Sequence, residues 1–518
     1  MTAGGASTVE FPARWAAQAP GRAAVIDVRT GAALSYAGLE DRSRAVAHAL
    51  WASGLRPGDH VAMAVSNRLE FYEFCWAAHR IGLYYTALNT GLTVSEARSL
   101  VTDCGAVTLL VDADLPELAD ALSSGLPAVT RRIAVGGARP GHEDYEALAA
   151  APSGPLPHEC EGEKMLYTSG TTGTPKAVAR PLTGGPPGSV FLIRPLMERL
   201  GFDEHSVLAN FAPLYHSAPL GYGMGVHRLG GTVLISGRFD PAQCLAAMQR
   251  YRATHGLFVP TMFVRLLRVP GRDKYDLSAL VTAAHGAAPC PVSVKQAMID
   301  WWGPVLFEYY AGTEGAGMTT LDSAEWLAHP GSVGRPVSGT VHIVDEATGA
   351  ELPAGQTGAV YFSGGTKFRY HNDDTKTAAA YGPNGWNTLG DIGHVDEDGY
   401  LYLTDRKSFT VISGGVNIYP QEAENVLAGH PLVADAAAFG IPDPDLGEQL
   451  IAVVELIDSS RAGPQTAADL LAWCGQQLAR QKVPRRIEFT DALPRGDNGK
   501  LYKRDLIRQY ATGADGPG

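Results

Sequence analysis

The chain has 518 residues, of which 45% are hydrophobic and 19% charged, a composition that excludes disordered and fibrous proteins. Its length exceeds the ~250 to 300 residues at which a single core usually stops growing, so more than one domain is expected. Its 54 acidic residues outnumber the 42 basic ones, which are scattered, and the net charge of -12 argues against nucleic-acid binding.

Helices alternate with short apolar strands through the first half of the chain. The spacing of apolar residues predicts a helix and then a strand within 33–67, and a helix over 70–82. It next predicts a strand over 107–113, and then a helix over 241–256 that leads into a strand over 257–260. Such alternation indicates parallel sheets covered by helices on both faces.

The pattern changes after about residue 358, where short alternating strands are separated by Asp-Gly and Gly-Gly turns. Helix and strand units return beyond residue 420. We therefore predict an α/β fold whose large N-terminal domain, residues 1–405, has helix-covered sheets and a β-rich subdomain. A small, mobile α+β domain, residues 406–518, is predicted to follow a hinge near Ser408.

Cellular location is predicted from the cysteines and from the apolar segments. The six cysteines are far apart and form no Cys-x-x-Cys pair, which favours buried thiols in a reducing compartment. The N-terminus lacks a basic region followed by an apolar core, and no segment approaches the ~18 apolar residues of a membrane span. We expect a cytoplasmic enzyme that acts on small molecules.

The segment YTSGTTGTPK, residues 167–176, contains glycines and hydroxyl side chains around one lysine. Composition alone leaves two interpretations open, an ordinary loop and a phosphate-binding loop. The spacing does not match the Gly-x-x-x-x-Gly-Lys-Ser/Thr pattern of P-loop NTPases. Its backbone N–H groups, hydroxyls and Lys176 could nevertheless converge on an anion.

Six other segments help to decide between these interpretations. In chain order they are APLYHSAP at 212–219, HGAAPCP at 285–291, YYAGTE at 309–314, WNTLGD at 386–391, DRKSFTVISGGVNIYP at 405–420 and GKLYKR at 499–504. Together with the loop they resemble the adenylate-forming superfamily of acyl-CoA synthetases, luciferases and peptide-synthetase adenylation domains. The resemblance covers roughly residues 20 to 510 and is strongest to bacterial fatty-acyl and aryl-CoA ligases.

The resemblance implies a two-step ligase that uses ATP, Mg²⁺ and CoA. A carboxylate attacks the α-phosphate of ATP and releases pyrophosphate, and a thiol then displaces AMP from the acyl adenylate. The implied nucleotide- and CoA-binding residues are Thr168, Ser169, Gly170, Thr171, Thr172, Gly173, Lys176, Gly286, Ala287, Ala288, Pro289, Tyr309, Tyr310, Ala311, Gly312, Asp391, Arg406, Ser413, Gly414 and Gly415.

Specific roles also follow from the resemblance. Glu314 would be a Mg²⁺ ligand, Thr313 would donate to the α-phosphate, and Lys500 would bridge the attacking carboxylate and that phosphate. Lys500 would act only when the two domains close. Tyr310 would stack on adenine, and Asp391 would accept hydrogen bonds from the ribose hydroxyls, with Arg406 nearby. The segment 413–415 would line the pantetheine path after the small domain rotates at Ser408.

The acid-binding pocket is the least defined part of the implied site. His216 occupies the position of a residue that gates the acyl pocket in relatives, although a histidine in apolar company is often a core residue. Tyr215, His216 and Ser217 offer no carboxylate for a substrate ammonium, which argues against a free α-amino acid. The candidate pocket residues are His216, Thr261, His285 and Ala311.

Two residues depart from the family pattern, and three rival functions compete with this interpretation. Ala177 stands where relatives usually have Gly after the loop lysine, and Phe409 replaces a frequent acid after the hinge. The acceptor could instead be a carrier protein, or the enzyme could activate nitrite for transfer to an aryl amine. A non-catalytic nucleotide-binding protein is disfavoured because the charged residues of the implied site, Lys176, Glu314, Asp391, Arg406 and Lys500, are all present.

Overall fold

The structure is a computed structural model that describes residues 10–168, 176–382, 384–413, 416–496 and 499–511, and only the backbone of Thr168. The described chain is a mixed α/β fold with several sheets, as the sequence predicts. Contacts divide it into two compact units. The first unit contains the residues up to Phe258, with Val269–Ala284 and Phe368–Thr377, and the second contains Val259–Arg268, His285–Lys367 and the residues from Ala378 onward.

Helices and strands are numbered here in chain order. The helices are α1 (Pro12–Gln18), α2 (Tyr36–Ala52), α3 (Leu69–Arg80), α4 (Val94–Asp103), α5 (Pro116–Leu122), α6 (Tyr145–Ala149), α7 (Arg194–Arg199), α8 (Ser217–Leu229), α9 (Pro241–Arg250), α10 (Pro260–Leu267), α11 (Val292–Trp302), α12 (Ser323–Ala328), α13 (Asp374–Ala379), α14 (Pro420–Ala428), α15 (Pro464–Gln477) and α16 (Lys503–Ala511). The strands are β1 (Ala23–Asp27), β2 (Ala33–Ser35), β3 (His60–Ala64), β4 (Tyr84–Ala87), β5 (Thr108–Asp112), β6 (Arg131–Val135), β7 (Glu143–Asp144), β8 (Glu163–Lys164), β9 (Tyr167–Thr168), β10 (Lys176–Ala179), β11 (Val207–Asn210), β12 (Thr232–Ile235), β13 (His255–Phe258), β14 (Thr282–His285), β15 (Leu306–Ala311), β16 (Met318–Asp322), β17 (Arg335–Ser338), β18 (Thr340–Val344), β19 (Gly358–Ser363), β20 (Arg369–Tyr370), β21 (Asn387–Val395), β22 (Leu401–Arg406), β23 (Val411–Ser413), β24 (Val416–Ile418), β25 (Val433–Asp443), β26 (Gly447–Leu456) and β27 (Ile487–Thr490).

The first unit is built on parallel sheets. One sheet has the order β7-β6-β5-β3-β4-β8 with every neighbouring pair parallel. In a second sheet, β13, β11, β12 and β1 are likewise parallel, and β2 pairs antiparallel with β1. All five residues of β5 are buried, as expected for a strand covered on both faces. The prediction of helix-covered parallel sheets is confirmed for this unit.

A small antiparallel sheet, β20-β10-β9, belongs to the same unit. Strands β9 and β10 flank the predicted phosphate loop, so this sheet fixes both of its ends. In β10, Ala177 is 1% exposed and its carbonyl accepts a hydrogen bond from the backbone N–H of His371. The alanine that departs from the family pattern is therefore a packed strand residue.

The second unit contains antiparallel sheet. Strands β18, β19, β21 and β22 form one such sheet, which is the β-rich region predicted after residue 358. A second sheet has the order β24-β23-β26-β25, and β27 adds to β26 in parallel. Leu427 of α14 and Cys474 of α15 pack with buried residues of β25 and β26 in one hydrophobic cluster. The predicted C-terminal helix and strand units are thus present.

The predicted hinge lies in a short exposed turn. Strand β22 ends at Arg406, and Lys407–Phe409 form a single 3₁₀ turn in which Ser408 is exposed. Lys407 forms an ion pair with Glu346, with 2.6 Å between Nζ and the carboxylate. The boundary after residue 405 remains a prediction.

The sequence also led to expectations about the cysteines and about membrane-spanning segments. All six cysteines are free thiols, and five are buried, with Cys290 partly exposed. Within the described ranges, no helix combines the length and apolar character needed to cross a membrane.

A buried ion pair joins α11 to β15 in the second unit. Lys295 and Glu308 are 1% and 5% exposed, and 2.6 Å separates the ammonium Nζ from the carboxylate Oε2. His285 lies beside them, fully buried, with Nε2 3.8 Å from the same carboxylate oxygen. Burial raises the pKa of Glu308, although Lys295 opposes the rise. Burial and the charge of Lys295 lower the pKa of His285 well below its usual range, so the imidazole is neutral.

Removing one partner of this ion pair should destabilise the protein more than removing both. We expect Lys295→Met to lower the free energy of unfolding by about 3 to 5 kcal/mol, because Glu308 would be left as an uncompensated buried charge. The double variant Lys295→Met, Glu308→Leu should recover most of this loss. Urea unfolding of the two variants measures the difference, with the exposed Lys274→Met as control. Equal losses in the single and double variants would contradict this account.

Candidate active site

Three strands of the second unit bring together a carboxylate, a phenol and a guanidinium. Asp391 of β21 is 5% exposed and accepts a hydrogen bond of 2.5 Å from the hydroxyl of Tyr310 in β15. Arg406 of β22 is the ladder partner of Asp391, and its Nε lies 3.1 Å from Oδ1 of that carboxylate. Both oxygens of Asp391 thus have one partner each, and each keeps a lone pair that could accept a hydrogen bond.

Lys500 belongs to the same electrostatic cluster. Burial and the positive charge of Arg406 lower the pKa of the Lys500 ammonium to about 8, against the opposing effects of Asp391 and Glu314. Burial likewise raises the pKa of Asp391, although Arg406 and Tyr310 favour its ionised form. Two cations and two carboxylates therefore influence one another here, at four positions that the sequence singled out separately.

The turn that carries Lys500 is held from two sides. The backbone N–H of Gly496 donates to the carbonyl of Lys500 at 2.9 Å. Arg495 forms an ion pair with Asp435, 2.5 Å between Nε and Oδ2, and its Nη1 donates to the carbonyl of Gly499 at 2.8 Å. These contacts fix the backbone on both sides of the two residues, 497 and 498, that lie outside the described ranges.

Gly499 allows the turn to approach α10 closely. Its φ is +73°, and a Cβ at this position would lie 2.0 Å from Oγ1 of Thr261. A side chain is therefore excluded both by the left-handed backbone and by the contact. Thr261, which the sequence suggested as an acid-pocket residue, lies against the turn that bears Lys500.

Two glycine-containing turns lie near the tyrosines of β15. A Cβ at Gly286 would lie 2.6 Å from the carbonyl oxygen of Tyr309, so the predicted adenine-binding turn, 286–289, packs directly on this strand. The next residue, Ala287, has a φ of +68°, a conformation that costs a residue with a Cβ about 1 to 2 kcal/mol. A Cβ at Gly312 would lie 2.7 Å from Oε2 of Glu314, which shows that this carboxylate folds back over the chain.

The predicted phosphate loop is described only at its ends. Ser169, Gly170, Thr171, Thr172 and Gly173 lie outside the described residues, as do Gly414 and Gly415 of the predicted pantetheine path. Lys176 pairs with Thr168 across the β9–β10 ladder, and its Nζ lies 4.6 Å from the centre of the Tyr370 ring in β20. This geometry is that of a cation–π contact, which orients the lysine at the base of the loop.

The remaining predicted residues are divided between the two units. His216 occupies the N-cap position of α8 in the first unit, and its ring centre lies 4.5 Å from that of Tyr215. His285 ends β14 and Ala311 ends β15, and both belong with Thr261 to the second unit. Thr313 follows β15, and Ser413 is the last residue of β23. Their proposed roles stay predictions.

Sequence reasoning overlooked several residues that contact the predicted site residues or their neighbours. Lys295 and Glu308 form the buried ion pair beside His285, Arg495 anchors the Lys500 turn, and Tyr370 contacts Lys176. One signal was available, since Lys295 shares the buried face of α11 with Met298 and Ile299. A charge on an apolar face predicts a buried partner. Arg495 and Tyr370 act across long sequence separations and had no local signal.

Comparison with known proteins identifies the family of this chain. Residues 12–370 match the AMP-binding enzyme family, and residues 422–500 match the AMP-binding enzyme C-terminal domain. A feruloyl-CoA synthase from Amycolatopsis sp is 35% identical over 96% of this chain and 98% of its own length. A fatty acid–[acyl-carrier-protein] ligase, ScoC, from Streptomyces coeruleorubidus is 30% identical over 93% of this chain and 92% of its own length.

A solved structure agrees with the sequence matches. ATP-bound MatB from Rhodopseudomonas palustris superimposes with a TM-score of 0.84 at 29% identity, covering 97% of this chain and 99% of that one. The chain therefore belongs to the AMP-binding family of adenylate-forming enzymes, and the resemblance predicted from the motifs is confirmed.

Crowding at Gly499 should make Lys500 sensitive to a single added methyl group. We expect Gly499→Ala to lower the rate of adenylation by about tenfold or more, because the Cβ would push the turn away from Thr261 and displace the lysine. Pyrophosphate release measures the effect. Gly355→Ala is the matched control, since Gly355 has a φ of +81° and an added Cβ would meet nothing within 4 Å. The same loss of rate in both variants would contradict a specific effect on Lys500.

Proposed function

We propose that this protein is an ATP-dependent acid–CoA ligase that forms an acyl adenylate, releases pyrophosphate and then forms a thioester with CoA. The observation that carries the proposal is the clustering of Lys500 with Asp391, Arg406 and Glu314 in one unit. A half-buried ammonium in this cluster suits a reaction in which negative charge develops at phosphorus. The full-length similarity to a feruloyl-CoA synthase supports a carboxylic acid as substrate and CoA as acceptor.

In the first step, a carboxylate oxygen of the acid forms a bond to the α-phosphorus, and the bond from that phosphorus to the pyrophosphate oxygen breaks. Lys500 would hold the two negatively charged reactants together and stabilise the charge that builds on the α-phosphate. Thr313 would donate a hydrogen bond to the same phosphate. Lys176 and the backbone of the loop would bind the departing pyrophosphate.

The adenosine part of the nucleotide would lie along β15 and β21. Tyr310 would stack on adenine while its hydroxyl holds Asp391 in place, and Asp391 would use its remaining lone pairs for the ribose hydroxyls. Burial raises the pKa of that carboxylate, and Arg406 opposes the rise and so favours the ionised form, which is the stronger acceptor. The close turn at Gly286 would bring backbone groups to the adenine edge.

Mg²⁺ would arrive with ATP, and Glu314 would be its protein ligand. The described residues hold no group of three or more His, Cys, Asp and Glu side chains suited to a metal. Magnesium bound through nucleotide phosphates needs only one or two carboxylates, with water and phosphate oxygens completing its shell. A single carboxylate over the Gly312 turn fits this requirement.

In the second step, the CoA sulfur forms a bond to the acyl carbon, and the bond from that carbon to the AMP oxygen breaks. We propose that the C-terminal segment rotates at Ser408 between the steps and that Ser413–Gly415 then line the path of pantetheine. The exposed single turn around Ser408 supports this hinge, because few packing contacts oppose a change of its backbone angles.

The pKa of Lys500 gives the adenylation step a predicted pH dependence. The lysine acts as a cation, so kcat/KM for ATP should fall about tenfold per pH unit above a pH of about 8, where the free enzyme loses this proton. Lys500→Arg should move the decline to higher pH, and Lys500→Ala should be slower by at least about a hundredfold at every pH. ATP–pyrophosphate exchange measures all three. A wild-type profile that stays flat to pH 9.5 would contradict the role of Lys500.

The reaction itself is tested by pyrophosphate release from a panel of aliphatic, aryl and amino-substituted aromatic acids and nitrite, each with and without CoA. We expect one class of acid to support release and to end as an acyl-CoA identified by mass. Lys500→Ala is the control for release by a contaminating enzyme. Release without a CoA product, especially with nitrite and an aryl amine, would contradict the choice of acceptor while leaving adenylation intact.

A carrier protein is the second candidate acceptor. The similarity to ScoC, named as a ligase of fatty acids to acyl-carrier protein, favours it, because that similarity spans nearly the whole chain. Adding a phosphopantetheinylated carrier protein to the same assay separates the two acceptors. Loading of the carrier together with failure to make acyl-CoA would replace the first candidate by the second.

A further inference from the structure

The first unit contains a cavity of about 110 Å³ that none of the predicted adenylation residues lines. It lies between α8, β8 and the segment 180–193, and α3 and β4 also contribute to its walls. Its lining combines charged side chains with apolar ones. Such a combination is typical of sites that orient a small molecule by one polar group.

Lys164 is the cation at the polar end of this cavity. Its Nζ donates one hydrogen bond, to the carbonyl of Ser217 at 3.3 Å. Within the described ranges, no carboxylate lies within 4 Å of this ammonium. An ammonium has three donors, so the protein leaves two of them available to a ligand. Burial lowers the pKa of Lys164 to about 8, although the charge of Glu163 opposes the fall, and the lysine stays mainly protonated at neutral pH.

The glycine of α8 opposite Lys164 makes room for the ammonium. A Cβ at Gly221 would lie 2.8 Å from Nζ of the lysine. Glycine in the interior of a helix costs about 1 kcal/mol relative to alanine, so Gly221 lowers the stability of α8. The space that it leaves is filled by the lysine head group.

The buried acid in the cavity lining, Glu161, is already paired with other groups. Glu161 accepts from Nη2 of Arg228 at 2.5 Å and is 2.9 Å from Nε2 of His79. Its other oxygen accepts from the backbone N–H of Gly188. Burial alone would raise the pKa of Glu161, but His79 and Arg228 outweigh it and lower the pKa to about 2. The charge of Lys164 therefore stays uncompensated by this carboxylate.

Apolar side chains form much of the rest of the lining, which also includes Arg180 and Arg228. Met224 of α8 faces it, together with Leu182, Phe191 and Ile193 of the neighbouring segment. A cavity of about 150 Å³ holds benzene, so the smaller volume here suits a chain of about three to five carbons. The site thus combines the Lys164 ammonium, in a lining that also contains two arginines, with an apolar compartment of limited length.

We propose that this cavity binds a short-chain monocarboxylate, with its carboxylate on the Lys164 ammonium and its hydrocarbon chain against Met224, Phe191 and Ile193. The proposal does not depend on the adenylation reaction, because it concerns binding to residues outside that machinery. The carboxylate would provide the acceptor that Lys164 lacks, and the chain would fill the apolar end.

Isothermal titration calorimetry of the full chain with acetate, butyrate, valerate and hexanoate tests the proposal. We expect saturable binding of one equivalent, with affinity rising about fourfold per added carbon until the chain outgrows the cavity. Butanol and butylamine are matched ligand controls, because they keep the chain and remove or reverse the charge. Both should bind much more weakly than butyrate.

Two variants identify the site. Lys164→Met should weaken butyrate binding by about tenfold to a hundredfold, the usual range for one hydrogen-bonded charge. Gly221→Ala should also weaken it, because the methyl group displaces the ammonium while favouring the helix. Lys274→Met, an exposed lysine in the same unit, makes the same change of charge and should leave binding unchanged. A wild type that binds none of the four acids, or a Lys164→Met protein that binds them equally well, would overturn the proposal.

A competition arm distinguishes two sources of the carboxylate. The ligand is the far end of the acid being activated if a productive acid from the pyrophosphate assay displaces butyrate. It is a separate metabolite if butyrate still binds in the presence of that acid. Both results support the cavity as a carboxylate site, and calorimetry measures the binding of butyrate itself even if no acid in the panel is turned over.

Discussion

The candidate active site depends on the balance of opposing effects on one buried carboxylate, Asp391. Desolvation favours the neutral acid, which would be a poorer acceptor, and the structure offsets this with the guanidinium of Arg406 and the hydroxyl of Tyr310. The same guanidinium acts in the opposite direction on Lys500, whose pKa it helps to lower. One arginine thus influences the pKa of both a carboxylate and a lysine of the candidate site.

Three of the lysines, Lys295, Lys500 and Lys164, differ in the partners available to each. Lys295 has a carboxylate at 2.6 Å and therefore acts as a structural cation. Lys500 shares its surroundings with two carboxylates and a competing arginine. Lys164 has a backbone carbonyl at 3.3 Å as its hydrogen-bond acceptor. A lysine whose ammonium has its hydrogen-bond partners within the protein is a core contact. A lysine that lacks some of these partners can bind a ligand.

Much of the fold and the identity of the site residues could be predicted from local sequence. Helix α2 with strand β3, helix α3 and strand β5 follow apolar spacing, and the family motifs led directly to Asp391, Arg406 and Lys500. What escaped prediction depends on contacts between distant segments. Arg495 is recognisable only from its contacts with Asp435 and Gly499, and the contact of Thr261 with residue 499 leaves no trace in either neighbourhood.

The three-stranded sheet that flanks the predicted phosphate loop has a consequence for the order in which the protein can fold during synthesis. Its outer strand, β20, is residues 369–370, whereas β9 and β10 end by residue 179. A ribosome must therefore translate strands β14 to β19 of the chain before the first unit can receive its last segment, Phe368–Thr377. Until then, β10 has an unpaired edge and Lys176 lacks the Tyr370 ring, so the nascent N-terminal half exposes a strand edge that could pair with another chain.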